Sequence, residues 1–205
     1  MRIAAFMMSC AERQLVREET LRNLSRSDWE GEVAVELDRE SAERRQERQE
    51  TTALRLLERA QVAEADFVLF LEDDLDFNLH LRHNLGQWAP LREVGPRGHF
   101  FGSLYNPNIR IQSQEPARAF FIAEPECVYG SQAFILALPT IGYIVDGWAE
   151  VPGMQDIKMS RLAARVCSVY YHMPSLVQHM RVPSVWGGQY HWASDFDPRW
   201  RTSDG

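Results

Sequence analysis

Four acids fall within five positions in the stretch FVLFLEDDLDFN, Phe67–Asn78: Glu72, Asp73, Asp74 and Asp76. Like charges this close repel one another, so a cluster set directly after five apolar residues calls for a cation. In an extended segment side chains alternate, which sends Glu72 and Asp74 to one side and Asp73 to the other. One side can grip a divalent ion while Asp73 faces a ligand or the core. Two further residues could do chemistry. Asp156 precedes an amphipathic run, where it is either a helix N-cap or a proton acceptor. His179 sits among apolar residues. A lone histidine there is more often a hydrogen-bonded core residue, and with an acid cluster upstream it is also a candidate ligand.

Three chemistries compete for the acids. Asp74, Asp76 and Asn78 match the first ligand positions of an EF-hand calcium loop, but Leu79 stands where that loop needs glycine and Leu85 where it needs its bidentate glutamate. Asp74-Leu75-Asp76 also fits the nucleophile motif of haloacid-dehalogenase phosphatases, with Asp74 as nucleophile and Asp76 as acid/base. However, Asn78 replaces the usual Thr or Val, and no matching downstream lysine and acid pair is present. The third chemistry is a metal site that holds a nucleotide diphosphate.

The elements that must carry these residues read as follows. Arg2–Ser9 is apolar and bounded by charge, as a buried strand is. Ala11–Ser25 places Leu15, Val16, Leu21 and Leu24 near one helical face. Glu32–Leu37 alternates like a strand. Ser41–Ala63 is predicted as a helix, capped by Asp38 or Ser41, whose initial charge run reads as a solvated face. Phe67–Leu71 has the length and continuity of a central parallel strand. Strand, helix, strand, helix, strand implies an α/β layer, and such open sheets bind ligands beyond the carboxyl ends of their strands. The acids stand at one such end. Beyond them, His99–Leu104, Ala119–Ile122 and Ala133–Leu138 read as strands of a more mixed, antiparallel part, and Asp156–Val166 as a helix. The tail from Tyr171 reads as a long ordered loop, because disordered tails rarely carry three tryptophans.

Composition narrows the partners. The 205 residues suggest one domain, and a 45% hydrophobic content suffices for a core. A net charge of −7 argues against nucleic acid or an acidic membrane surface as the main partner. Cys10, Cys127 and Cys167 are odd in number and far apart, so neither a disulfide framework nor a zinc spacing is present, which fits a reducing, cytoplasmic setting. The apolar stretch at the N-terminus is too short for a signal sequence, and no run reaches the length of a transmembrane segment.

FVLFLEDDLDF resembles the DxD-type metal motif of glycosyltransferases with the GT-A fold, in its Glu-Asp-Asp form. PGMQDIKMSRLA, Pro152–Ala163, resembles that family's xED segment, with Asp156 at the acidic position and Gln155 in place of the more usual glutamate. PSLVQHMRVPSVWG, Pro174–Gly187, resembles the segment with the family's C-terminal metal-binding histidine, here His179. Gly130 in VYGSQAFIL falls at the family's glycine-containing loop. The resemblance implies an α/β, Rossmann-like domain over residues 1–205, with a mostly parallel central sheet flanked by helices and a smaller antiparallel or mixed acceptor part. Residues 1–78 would form the nucleotide-binding half, 79–170 the acceptor half and 171–205 a closing segment.

It further implies a metal-dependent transfer of a hexosyl or N-acetylhexosaminyl group from a nucleotide-sugar, a UDP-sugar by expectation, to an acceptor hydroxyl. Asp74 would be the main ligand of Mn²⁺ (or Mg²⁺), Glu72 would support it directly or through water, and His179 would add a nitrogen. Asp73 would face the sugar or the core. Ser9, Cys10, Glu12 and Arg13 lie where the family holds the nucleobase, and Asp38 ends the second strand, within reach of base or ribose. Glu12 and Arg13 are equally well explained as helix-start charges; Arg45 and Arg48 could reach a phosphate, but a solvated face is the favoured reading for them. Asp156 would be the base of an inverting reaction. The acceptor is a glycan, a lipid-linked saccharide, a peptide or a small molecule. A phosphohydrolase and a non-catalytic nucleotide-sugar-binding module are the alternatives. Trp186, Trp192 and Trp200, with Tyr190, either stack on sugar faces or pin the tail, and Gly187-Gly188 is a candidate lid hinge.

Overall fold

The computed structural model describes residues 1–39, 45–94, 98–107, 119–128, 130–185 and 190–203. Trp186, Gly187, Gly188 and Ser41 therefore lie outside the described residues. In chain order the elements are β1 (Ile3–Cys10), α1 (Gln14–Ser25), β2 (Val33–Asp38), α2 (Arg45–Gln61), β3 (Phe67–Leu71) and β4 (Leu75–Phe77). They continue with α3 (Leu81–Gln87), α4 (Ala89–Arg92), β5 (Phe101–Ser103), β6 (Phe120–Ala123), β7 (Ala133–Ala137), α5 (Leu138–Gly147), α6 (Gln155–Ala163), β8 (Val169–His172) and β9 (Val177–His179).

Seven strands form one sheet in the order β2-β1-β3-β7-β5-β8-β6. β1 pairs in parallel with β2 and β3, and β5 with β8, while β7 and β6 run against their neighbours. Five strands thus point one way, which makes the sheet mostly parallel, as expected. β5 to β8 join this same sheet, so the two halves anticipated from sequence share one continuous layer. The small antiparallel part is the separate pair β4-β9.

β3 explains why the sheet is covered on both faces. All five of its residues are buried. Phe67, Leu69 and Leu71 pack into one apolar cluster, with Leu75, Phe77, Leu81, Leu85, Trp88 and Leu176. Val68 and Phe70 pack into the other, beneath α2, α5 and α6. The alternation follows the period of two of a strand. On α2 the buried side chains are Gln49, Thr52, Ala53, Leu56, Leu57 and Ala60, a single stripe at helical spacing. Fully burying a side chain such as Phe70 contributes about 1.5–3 kcal/mol, so this strand, like the equally buried β7 beside it, is a firmly anchored platform.

Two expectations are corrected, and one helix is new. The tail is not wholly loop, because β8 ends and β9 lies within it. Residues 11–13 form a 3₁₀ turn, so α1 begins only at Gln14. α5 follows β7 with no intervening loop, Pro139 occupying its first turn, where a missing N–H costs nothing.

Candidate active site

Hydrogen bonds from three elements, α1 and the flanks of β7 and β9, fix the backbone of the acidic turn after β3. The Glu72 N–H donates to the Gln132 carbonyl (2.9 Å), and the Met180 N–H donates to the Asp74 carbonyl (2.8 Å). Thr20 on α1 donates its hydroxyl to the Asp73 carbonyl (2.6 Å) and accepts the Leu75 N–H (3.0 Å). Asn23 donates to the Leu75 carbonyl (3.3 Å). No charged group here depends on a floppy loop for its position.

The three carboxylates face three different environments. Asp73, buried, accepts from the Ser9 hydroxyl (2.5 Å) and from Arg13 Nε (2.8 Å). Asp74, also buried, accepts from Arg13 Nη2 (2.6 Å) and lies 3.0 Å from His179 Nε2, all through its Oδ2. Glu72 is held by the Ser131 hydroxyl and by the Gln155 amide (3.1 Å). Gln155 also donates to Ser131 Oγ (2.5 Å). The alternation expected of an extended segment does not describe this turn: residues 73 and 74 are bends, Asp73 and Asp74 share Arg13, and Glu72 takes partners of its own.

His179 arrives by register. β4 and β9 are antiparallel with Leu75 opposite His179, which sets the imidazole beside the residue preceding Leu75. The Tyr190 ring stacks on His179 at 5.3 Å, and its hydroxyl donates to the His179 carbonyl (3.2 Å). Burial pulls the imidazole pKa down, but the Asp74 carboxylate, with Glu72 and the His191 backbone behind it, more than reverses this and leaves it raised.

The charges do not balance. Arg13 supplies one permanent positive charge against three carboxylates, and its third donor goes to the Pro183 carbonyl (2.7 Å). Burial first, then the neighbouring Asp74, pushes the Glu72 carboxyl up to about 7, with Ser131 and His179 opposing. Burial also raises Asp73, against the pull of Arg13 and Ser9. Burial lowers the Arg13 pKa, and Asp73 and Asp74 more than offset it, so the guanidinium stays charged.

A divalent cation fits part of this arrangement. Asp74 Oδ1 is buried and makes no hydrogen bond. His179 Nε2 stands 3.0 Å from the other oxygen, Oδ2, so a carboxylate and an imidazole nitrogen that would hold a cation are side by side. Among the described residues, however, no three His, Cys, Asp or Glu side chains already converge on one point. Glu72 turns to Ser131 and Gln155 instead, which suits support at one remove rather than direct ligation.

The residues assigned to the nucleobase are split in two. Ser9 and Arg13 point into the acid cluster. Cys10, Glu12 and Asp38 stand at the mouth between β1 and β2, where Arg48 binds Asp38 through Nε and Nη2 (2.7 and 2.6 Å). Burial, then Glu12 and Asp73, pushes the Cys10 thiol up to about 11, so it is an inert wall. Glu12 is exposed; its own backbone N–H, then Cys10 and Arg48, hold its pKa below the usual range.

Asp156 lies in the first turn of α6, but Met154 is the N-cap, so the cap alternative does not hold. Its Oδ2 accepts the Gly130 N–H (3.0 Å) and its Oδ1 the Ile157 N–H (2.9 Å). Gly130 has φ +76°, and a Cβ there would meet Gln132 Oε1 at 2.1 Å, so glycine is required for that donation. Asp76 is exposed and accepts the N–H of Phe77, apart from the buried set. Trp200 packs at 5.5 Å from His172 and its carbonyl accepts from Asn78 and Asn84, so it pins the tail. A 570 Å³ cavity lined by Asp66, Phe67, Arg82, Arg92 and Pro139 opens at the amino ends of the strands and holds none of these groups.

This sheet order, with its acids at the carboxyl edge and its small β4-β9 pair, defines a GT-A type fold. In particular, the chain superposes on S. aureus TarS residues 1–349 in complex with UDP-GlcNAc, with a TM-score of 0.59 at 13% identity. That match covers 93% of this chain and 62% of TarS 1–349, so the chain spans less than two thirds of that neighbour. The same protein with UDP gives 0.56 at 12% identity, covering 86% of this chain and 60% of that one. The galactosyltransferase LgtC with donor and acceptor sugar analogues gives 0.51 at 13% identity, covering 87% of each chain. No protein-family model and no curated protein matches the sequence.

Proposed function

We propose that this protein is a glycosyltransferase that moves a hexosyl or N-acetylhexosaminyl group from a UDP-sugar to an acceptor hydroxyl with inversion, using Mn²⁺ or Mg²⁺. One observation carries the reading. On a GT-A type sheet, β4-β9 pairing sets His179 against Asp74 across 105 residues, beside an acid cluster that Arg13 only partly neutralises. The solved neighbours that hold UDP or UDP-GlcNAc support UDP as the nucleotide.

Asp74 and His179 would hold the cation, with Glu72 supporting. The bound cation supplies positive charge to the departing diphosphate. Cys10, Glu12, Asp38 and Arg48 border the mouth where the base and ribose would enter. Asp156, its carboxylate oriented by the Gly130 N–H, accepts the proton of the acceptor hydroxyl. The acceptor oxygen then bonds the anomeric carbon, and the diphosphate leaves from the opposite face with the bonding electron pair. The acceptor is a glycan, a lipid-linked saccharide, a peptide or a small metabolite.

A nucleotide-sugar panel with and without Mn²⁺, read by thermal shift and slow donor hydrolysis, tests this. UDP-sugars should raise Tm and be hydrolysed only with metal. Binding without turnover with any acceptor indicates a binding module. A phosphoaspartate trapped at Asp74 indicates a phosphohydrolase and overturns the proposal.

A further inference from the structure

At the carboxyl edge of the sheet stands a buried hydroxyl that is unbonded among the described residues. Tyr105 follows β5 and is 1% exposed. Its hydroxyl makes no hydrogen bond. Its backbone carbonyl accepts from Ser103 (2.9 Å), and the Leu104 N–H donates to the Ala133 carbonyl (3.0 Å). Ala133 in turn faces Leu71 on β3. Counting one residue on along both strands, Tyr105 stands level with Glu72, two strands away. Burial first, then Tyr190, Asp74 and Glu72, raise its pKa.

Buried polar atoms in folded proteins are paired, and each exception requires a reason. A second exception lies beside the acids: Gln155 Oε1 is buried and unbonded, whereas Asp74 Oδ1 is the oxygen left for the cation. The Gln155 amide is fixed in that sense because its Nε2 donates to Glu72 and Ser131. Gln155 Oε1 only accepts, whereas a phenol both donates and accepts. A diphosphate carries acceptors alone and leaves such a set half satisfied. A sugar ring carries hydroxyls that both donate and accept.

We propose that Tyr105 is a binding residue for the transferred sugar, its hydroxyl bonding a hydroxyl of the sugar ring at the floor of the site. The assignment rests on the glycosyltransferase reading above. It adds a residue from β5, on the far side of β7 from the acids, and makes sugar rather than nucleotide the ligand.

The test compares wild type, Tyr105→Phe and Tyr105→Ala for binding of UDP and of the nucleotide-sugar that wild type binds most tightly, by calorimetry with Mn²⁺. Tyr105→Phe removes only the unbonded oxygen, so its Tm should equal or exceed that of wild type. Its UDP affinity should be unchanged, and its nucleotide-sugar affinity should fall about tenfold, the worth of one hydrogen bond. Tyr105→Ala, which also removes the ring, serves as the packing control and should lose Tm. Equal nucleotide-sugar affinity in wild type and Tyr105→Phe overturns the assignment while leaving the glycosyltransferase reading intact. So does an equal loss for UDP, or a Tm several degrees lower in Tyr105→Phe. A wild type that binds no nucleotide-sugar overturns both.

Discussion

At the scale of single residues, Arg13 is the least expected participant. It is buried and donates to Asp73, Asp74 and the Pro183 carbonyl, joining the first strand, the acidic turn and the tail. Replacing Arg13 with Met leaves two carboxylates buried with their main partner gone, so urea unfolding at pH 7 should show a loss of about 3–5 kcal/mol. A loss below 1 kcal/mol would mean the ion pairs are not formed in solution. Excess Mn²⁺ should restore part of the loss if Asp74 takes the cation. Gly130→Ala forces a side chain into φ +76° and against Gln132, at a cost of about 1–2 kcal/mol. Transfer should fall further than stability, because the Asp156 carboxylate loses its N–H; loss of stability alone would make Gly130 a purely conformational glycine. The sequence shows the acids at once, because like charges in a row have few structural explanations. It does not show Arg13 among them, since a helix-start arginine reads the same whether it faces solvent or an acid 60 residues away. Gln155 is visible only as an exception, an amide where the resembling family has a carboxylate. The structure gives that exception a use, since an amide can donate to Glu72 where a second carboxylate would repel it.

At the scale of elements, the strands that build the platform are legible and those that complete the site are not. β1, β3 and β7 announce themselves as unbroken apolar runs. β4 and β9 are three residues each and alternate too briefly to register, yet their pairing carries His179 to Asp74. α5 hides because its apolar residues continue those of β7. The His172 that ends β8 is a core histidine. It is 1% exposed, donates Nδ1–H to the Pro174 carbonyl (2.7 Å) and packs against Trp88 and Trp200. Burial lowers its pKa to about 4, with the Pro174 carbonyl opposing. The unfolded chain therefore binds the proton first, at about pH 6.5, and stability rises with pH between about 4 and 6.5. The contribution is complete above about 6.5, is lost as pH falls through about 4, and amounts to about 3 kcal/mol at most. Unfolding midpoints of wild type and His172→Gln across pH 4 to 7 check this: the wild-type slope should exceed the variant slope. Parallel profiles would mean that this histidine titrates normally.

At the scale of the whole molecule, one sheet brings residues from every part of the chain to a single edge. Ser9 and Arg13 come from its start, Glu72–Asp74 from its centre, and Gly130, Asp156 and His179 from its second half. Parallel strands with their carboxyl ends aligned make that edge the place where ligands bind. The overall charge of −7 suits a ligand that arrives with its own cation, because an anionic diphosphate approaching this acid cluster alone is repelled. Binding should therefore stabilise the fold only when both are present: UDP with Mn²⁺ raises Tm, and UDP with chelator does not. Among the described residues no helix is long and apolar enough to cross a membrane. The most direct test of the central claim is the rate of UDP-sugar hydrolysis by wild type and Asp74→Ala, each with Mn²⁺ and with chelator. Wild type should turn over only with Mn²⁺, and Asp74→Ala should lose about 100-fold or more under the same conditions. Hydrolysis that persists in chelator, or an Asp74→Ala variant as active as wild type, would contradict it.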